Sequence, residues 1–134
     1  MTTAELLALI PLKTHLEFNY WPPSVNNITA VVNGRKVKTK KGRDFTAHVC
    51  ADIEALRSKF DIPFFEKNVK VYITVYPPDR RRFDIDNMSK GILDSMTAAK
   101  IWRDDSQVVK LTIEKGDVIA GGAFDISITE KMDE

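Results

Sequence analysis

Eight consecutive residues, Val69 to Tyr76 (Val-Lys-Val-Tyr-Ile-Thr-Val-Tyr), are dominated by β-branched and aromatic side chains and run directly into Pro77-Pro78. Such residues favour extended chain, and two prolines, which lack amide hydrogens, end it. A chain with this segment near its middle is expected to build around a sheet. The residues after Pro78 are then delivered at a strand's carboxyl end. They are Asp79-Arg80-Arg81-Arg82-Phe83-Asp84-Ile85-Asp86-Asn87, with Lys90 three residues on.

The rest of the chain supplies partners for that strand. Leu16 to Tyr20 reads as a strand stopped by Trp21-Pro22-Pro23-Ser24. Thr29 to Val32 and Arg35 to Thr39 flank Asn33-Gly34, the strongest short hairpin signal in the sequence. Between Arg43 and Phe60, Phe45, Val49, Ile53 and Leu56 recur at helical spacing; Met88, Ile92, Met96 and Ala99 do the same, predicting a second helix from about Ile85 to Lys100. Val108 to Glu114 and Ala123 to Thr129 read as two further strands, joined through Gly116 and Gly121-Gly122. The predicted architecture is α+β: a small mixed β-sheet packed with two main helices, in the order strand, hairpin, helix, strand, helix, strand, strand. Residues 1–134 are expected to form one domain, with 1–15 a short, helical N-terminal extension. The apolar run Leu6 to Leu12 lacks the basic flank of an export signal, and Thr2 with Glu5 has the spacing of a capping box.

Composition narrows the class. With 43% hydrophobic and 29% charged residues the chain is ordinary for a globular protein, which suggests neither disorder nor a membrane protein. A single cysteine, Cys50, rules out an internal disulfide framework and a cysteine-rich zinc site, so the reducing cytoplasm is the expected compartment. The net charge of +1 hides a segregation: Arg35, Lys36, Lys38, Lys40, Lys41 and Arg43 form a run of cations without an acid, and Arg80, Arg81 and Arg82 form a second. Setting those nine cations aside leaves −8 on the remainder. One basic run is commonly a solvated loop, but two, one of them touching an acidic motif, fit a polyphosphate ligand.

Carboxylates one residue apart beside arginines are what metal-assisted phosphate chemistry requires: oxygen ligands for a hard divalent cation, and positive charge for the polyanion it attacks. Asp84 falls just before the second predicted helix and Asp86 at its first turn, where an aspartate is also a common cap. Asp86, Lys90 and Asp94 recur at i+4 spacing and would form one polar stripe, either a salt-bridge ladder or a reach from the helix start towards a bound phosphate. Asp104-Asp105 offers a third carboxylate, or simply a turn. A strand adjacent in the sheet would return that pair to the helix start. Trp21 and Trp102 fit core packing or stacking on unpaired bases; His15 and His48 read as structural or surface residues, and Cys50 as a small buried hydrophobe.

Taken together, Trp21-Pro22-Pro23-Ser24 with Asn26-Asn27, Pro78 to Arg82, Asp84-Ile85-Asp86-Asn87, Lys90, Asp94 and Trp102 to Val108 resemble the RusA family of Holliday-junction resolvases over about Leu16 to Glu130. The resemblance implies a small homodimeric, magnesium-dependent endodeoxyribonuclease, bacterial or phage-encoded, that acts in recombination and repair. It would resolve four-way DNA junctions by paired symmetric nicks, with manganese a possible substitute for magnesium. It further implies Asp84, Asp86 and Asp105 as metal ligands and Lys90 as a functional lysine. Arg80, Arg81, Arg82, Lys36, Lys38, Lys40 and Lys41 are expected to hold DNA through its phosphates. A DNA-binding regulator without cleavage, or a nuclease for other branched DNA, are the alternative readings.

Overall fold

In the computed structural model, which describes residues 1–132, the elements run in the order α1 (Thr3–Ala8), β1 (Lys13–Phe18), α2 (Val25–Ile28), β2 (Thr29–Val32), β3 (Arg35–Lys38), α3 (Lys40–Arg57), β4 (Val69–Tyr76), α4 (Lys90–Ala98), β5 (Val108–Lys115) and β6 (Ala123–Glu130). Two 3-10 turns, Ile85–Asn87 and Asp105–Gln107, precede α4 and β5 respectively. The architecture is mixed α+β, as the sequence implies.

Four strands make one sheet in the order β1-β6-β4-β5. β6 runs antiparallel to both β1 and β4, whereas β4 and β5 are parallel, with Val69 opposite Val108. Alternation sends Val69, Val71, Ile73 and Val75 of β4, Leu16 and Phe18 of β1, and Phe124, Ile126 and Ile128 of β6 into the core. There they meet Phe45, Val49 and Ile53 of α3 and Ile92 and Met96 of α4, the helical stripes read from spacing. The opposite sheet face is polar: the Tyr76 hydroxyl donates to Asp125 Oδ2 at 3.0 Å, and His15 Nδ1 lies 2.6 Å from Ser127 Oγ.

Local chemistry explains the element boundaries. α1 begins with a reciprocal capping box, Thr2 Oγ1 accepting from the Glu5 amide and the Glu5 carboxylate accepting from the Thr2 amide. α3 starts where Thr39 Oγ1 accepts the Gly42 N–H at 3.1 Å. The β2–β3 hairpin turns on Asn33 and Gly34, both at positive φ (51° and 76°), the geometry of a type I′ turn. It forms a separate two-stranded ribbon that is exposed throughout. Its root is fixed by Ile28, which is buried, and by the Thr39 N–H donating to the Ile28 carbonyl at 2.9 Å.

One expectation needs correction. The helix expected from about Ile85 begins only at Lys90: Ile85–Asn87 is a 3-10 turn, whose three-residue period buries Met88 without placing Asp86 on the α-helical face. The proposed Asp86, Lys90, Asp94 stripe therefore reduces to the Lys90–Asp94 pair. Trp102 takes the core packing expected of it and not base stacking: it is fully buried and its Nε1–H donates to Thr97 Oγ1 at 2.7 Å.

Candidate active site

β4 ends at Tyr76, and the next eight residues cross the end of the sheet before the 3-10 turn. Their course is held from below by Lys115 at the end of β5: its Nζ donates to the Phe83 carbonyl at 3.0 Å and lies 4.4 Å from the Phe83 ring centroid. Phe83 in turn meets Trp21 edge to face, with centroids 5.1 Å apart. Gly122, at φ 76°, lets the chain pass beneath: a Cβ there would come within 2.6 Å of Trp21 Cβ. The Trp-Pro-Pro loop and the arginine loop are thereby fastened to one another just ahead of Asp84.

Neither aspartate of the Asp-x-Asp motif caps a helix with its side chain. Asp84 stands at the start of the 3-10 turn with extended backbone and no side-chain capping bond, and Asp86 lies within the turn; both are exposed. The residue that does precede α4, Ser89, also makes no side-chain cap. With capping removed, the structural role that competed with metal binding has no support in the geometry.

The Asp104-Asp105 pair separates into two roles. Asp104 belongs to its turn: its carboxylate accepts from the Ser106 hydroxyl, a bond that is the leading cause holding its pKa below the ordinary carboxylate value. Asp105, half-buried, is left without an ion pair among the described residues. The turn is pinned by Gln107, whose Oε1 accepts from the amides of Arg103 (2.9 Å) and Asp104 (3.1 Å) and whose Nε2 donates to the carbonyls of Phe65 (2.8 Å) and Lys67 (2.9 Å). Adjacency of strands does not by itself bring Asp105 to the Asp84 end, because β5 is parallel to β4 and starts at the sheet end where β4 also starts. α4, which follows the Asp84–Asp86 segment in sequence, contacts the Asp105–Gln107 turn and sets Asp105 beside Lys90, whereas Asp84 and Asp86 do not line that cleft.

Lys90, Asp94, Thr97, Ala98, Asp104 and Asp105 line one open cleft. Lys90 Nζ donates to Asp94 Oδ1 at 2.9 Å across one helical turn. That bond pushes the Lys90 pKa above its ordinary value; partial burial opposes the rise, and the fields of Asp94 and Asp105 add to it. Lys90 is therefore an ammonium at neutral pH.

Among the described residues, no three His, Cys, Asp or Glu side chains are gathered into a ready-made metal cluster. The donor set nonetheless suits a hard divalent cation: Asp84, Asp86 and Asp105 supply oxygen ligands, stand partly or fully open to solvent, and enter no ion pair among the described residues, although three arginines lie just ahead of Asp84. Of those arginines, Arg81 contacts Asp79, with its amide donating at 2.9 Å and its Nε 3.7 Å from the carboxylate. Arg80 and Arg82 have no salt bridge among the described residues. In the first cluster Lys40 pairs with Asp44 at 2.8 Å and Lys38 donates to Thr46 Oγ1 at 2.8 Å, while Arg35, Lys36 and Lys41 project without an ion pair among the described residues.

Two residues that sequence reasoning gave no role, Lys115 and Gln107, position the motif loops. A lysine ending an edge strand looks like any solvated lysine. Gln107 had a weak signal, three residues after a turn-forming aspartate.

No helix among the described residues is long and apolar enough to cross a membrane. Comparison with known proteins gives a consistent picture. The chain is 37% identical over 114 residues to a protein named crossover junction endodeoxyribonuclease rusA from Enterobacteria phage 82, and 36% identical over the same length to proteins named crossover junction endodeoxyribonuclease RusA from Escherichia coli K12 and Shigella sonnei. In each case the match covers 85% of this chain and 92% of the relative. The profile of the family described as endodeoxyribonuclease RusA matches residues 20–128, from Tyr20 ahead of the Trp-Pro-Pro loop to Ile128 in the last strand, and the chain belongs to that family.

Proposed function

We propose that this protein is a crossover junction endodeoxyribonuclease that resolves Holliday junctions, as the names of its relatives indicate for them. The observation that carries the reading is the coincidence of that membership with three uncommitted carboxylates, Asp84, Asp86 and Asp105, and a lysine kept protonated beside one of them. Asp84, Asp86 and Asp105 would hold magnesium, for which manganese could substitute. Bound there, the metal supplies Lewis-acid stabilisation of charge at the scissile phosphate.

The chain's own residues do the remainder. The Lys90 ammonium donates to an oxygen of the phosphate as negative charge develops; its raised pKa suits that electrostatic role and not proton abstraction. Asp94 orients the ammonium while the phosphate is absent. Arg80, Arg81 and Arg82 contact phosphates next to the cut, and Lys36, Lys38, Lys40 and Lys41 contact those farther along, so affinity should fall with salt and depend little on sequence. A four-way junction has approximate two-fold symmetry. A homodimer offers it two equivalent sites for opposed nicks.

The test is incubation of the protein in magnesium with labelled four-way junction, flap and linear duplex. Paired nicks in the junction are expected, with flap and duplex cut more slowly. Junction binding without nicking would overturn the enzymatic reading in favour of a DNA-binding role, and faster cutting of flaps would reassign the substrate. Asp86→Asn should abolish nicking while junction binding persists; full activity in that variant would move the metal site elsewhere.

A further inference from the structure

The β2–β3 hairpin carries a pattern that phosphate binding alone does not explain. Its three valines are all exposed: Val31 is 70% exposed, Val32 52% and Val37 40%. Strand pairing sets Val31 opposite Lys36 and Val32 opposite Arg35, with Val37 opposite Ala30. Each face of the ribbon thus mixes valine with a cation: Val32, Val37 and Arg35 on one side, Val31, Lys36 and Lys38 on the other. β-branching favours the extended ribbon, but threonine would serve that equally, and contact with phosphates makes no use of three exposed hydrocarbon side chains.

The ribbon is also rigidly mounted beside the candidate site. Ile28 at its root packs against α3 and α4, its Cγ2 lying 3.8 Å from where a Cβ on Gly91 would stand, one residue from Lys90. Lys38, paired with Thr29 at the same root, donates to Thr46 Oγ1, which also lies 3.3 Å from Ser95 Oγ of α4. Four residues of strand project from that root, a reach of roughly 13 Å.

We infer that the hairpin is an apolar wedge for the branch point of DNA, in which Val31, Val32 and Val37 cover base faces left unstacked where the arms part, while Arg35 and Lys36 hold the flanking phosphates. This rests on the reading of the substrate as branched DNA. Linear duplex presents phosphates and groove edges but few bare base faces, whereas an interrupted stack presents such faces beside phosphates, matching hydrocarbon and cation side by side. A second copy of the chain is the rival occupant for the valines. Six cations between Arg35 and Arg43, answered only by the neighbouring Asp44, make self-association of two such ribbons electrostatically unfavourable.

The triple substitution Val31→Thr, Val32→Thr, Val37→Thr tests this. Threonine keeps the branched shape and strand preference, so the exposed ribbon should still form, and every cation remains. With 2-aminopurine at the branch of a four-way junction, wild-type binding should raise its fluorescence by unstacking. The variant should lose most of that rise and on the order of tenfold in junction affinity, with linear-duplex affinity within about twofold of wild type. A wild-type rise that the variant reproduces in full would overturn the wedge while leaving the nuclease reading intact. So would a change of oligomeric state by light scattering, which would assign the valines to a second copy. A wild-type chain that binds no branched DNA overturns both readings.

Discussion

Gln107 offers the sharpest check on how the third carboxylate is held. Its amide makes four hydrogen bonds that tie residues 103–107 to the loop ahead of β4, two accepted and two donated, all between 2.8 and 3.1 Å. At about 1 kcal/mol net for each, reduced because water reaches part of a half-buried side chain, Gln107→Ala should cost about 2–3 kcal/mol. In a domain of this size that is a fall in Tm of roughly 10 °C, with a matching shift in the urea midpoint at unchanged slope. Gln107→Glu discriminates further. It keeps both accepted bonds but sets a carboxylate against the carbonyl oxygens of Phe65 and Lys67, which disfavours the charged form and raises its pKa in the folded state. The loss should therefore be at least as large as for alanine at pH 8. It should shrink as pH falls towards 5, where a protonated carboxyl can donate one bond again. Both variants, assayed folded and well below Tm, should nick junctions more slowly, because Asp105 rides on the released turn. A loss under about 0.5 kcal/mol with unchanged nicking would refute the view that Gln107 anchors the site.

The pH dependence of nicking tests Lys90. Its folded pKa lies above the ordinary lysine value, so its charge persists until pH rises through that higher pKa, and no descending limb from Lys90 should occur between pH 7 and 10. Asp94→Asn removes the largest cause of the rise and leaves partial burial to act, so a descending limb should move to lower pH in single-turnover profiles; an unmoved profile would show that Asp94 does not tune the lysine. Gly42→Ala should destabilise the fold by about 1–3 kcal/mol in urea titrations, since the added Cβ meets Ile28 backbone atoms at 2.8 and 3.1 Å, whereas Gly91→Ala, with ordinary contacts from 3.6 Å outward, should cost far less.

Much of the fold is legible in single segments. Val69 to Tyr76 is bounded by its own composition, and the structure starts and ends β4 at those residues. Asn33-Gly34 names its turn because few other dipeptides tolerate two positive φ values in succession. The start of α4 is not legible in the same way. Ile85 and Met88 sit three apart, a spacing that an α-helix and a 3-10 turn both satisfy, and the Ile85–Asn87 turn also contacts β5, which no local spacing reveals. For the candidate site, residue types and spacing point to Asp84, Asp86, Lys90 and either member of Asp104-Asp105, and only the family resemblance implies Asp105; which of the pair is spent on the turn depends on Ser106 and Gln107 in three dimensions. Lys115 was beyond sequence reasoning because its role depends on Phe83, 32 positions away.

The strand order carries a consequence for how the protein is made. β6 follows the other described strands in sequence yet lies between β1 and β4, so β1 has no sheet partner, and β4 lacks its antiparallel one, until residue 130 has left the ribosome. β4 and β5 alone are a parallel pair, the arrangement that is slowest to form and least stable without neighbours. The motif loops, although complete in sequence by residue 107, lack a finished sheet to stand on throughout elongation. A product truncated before β6 should accordingly lack a finished site.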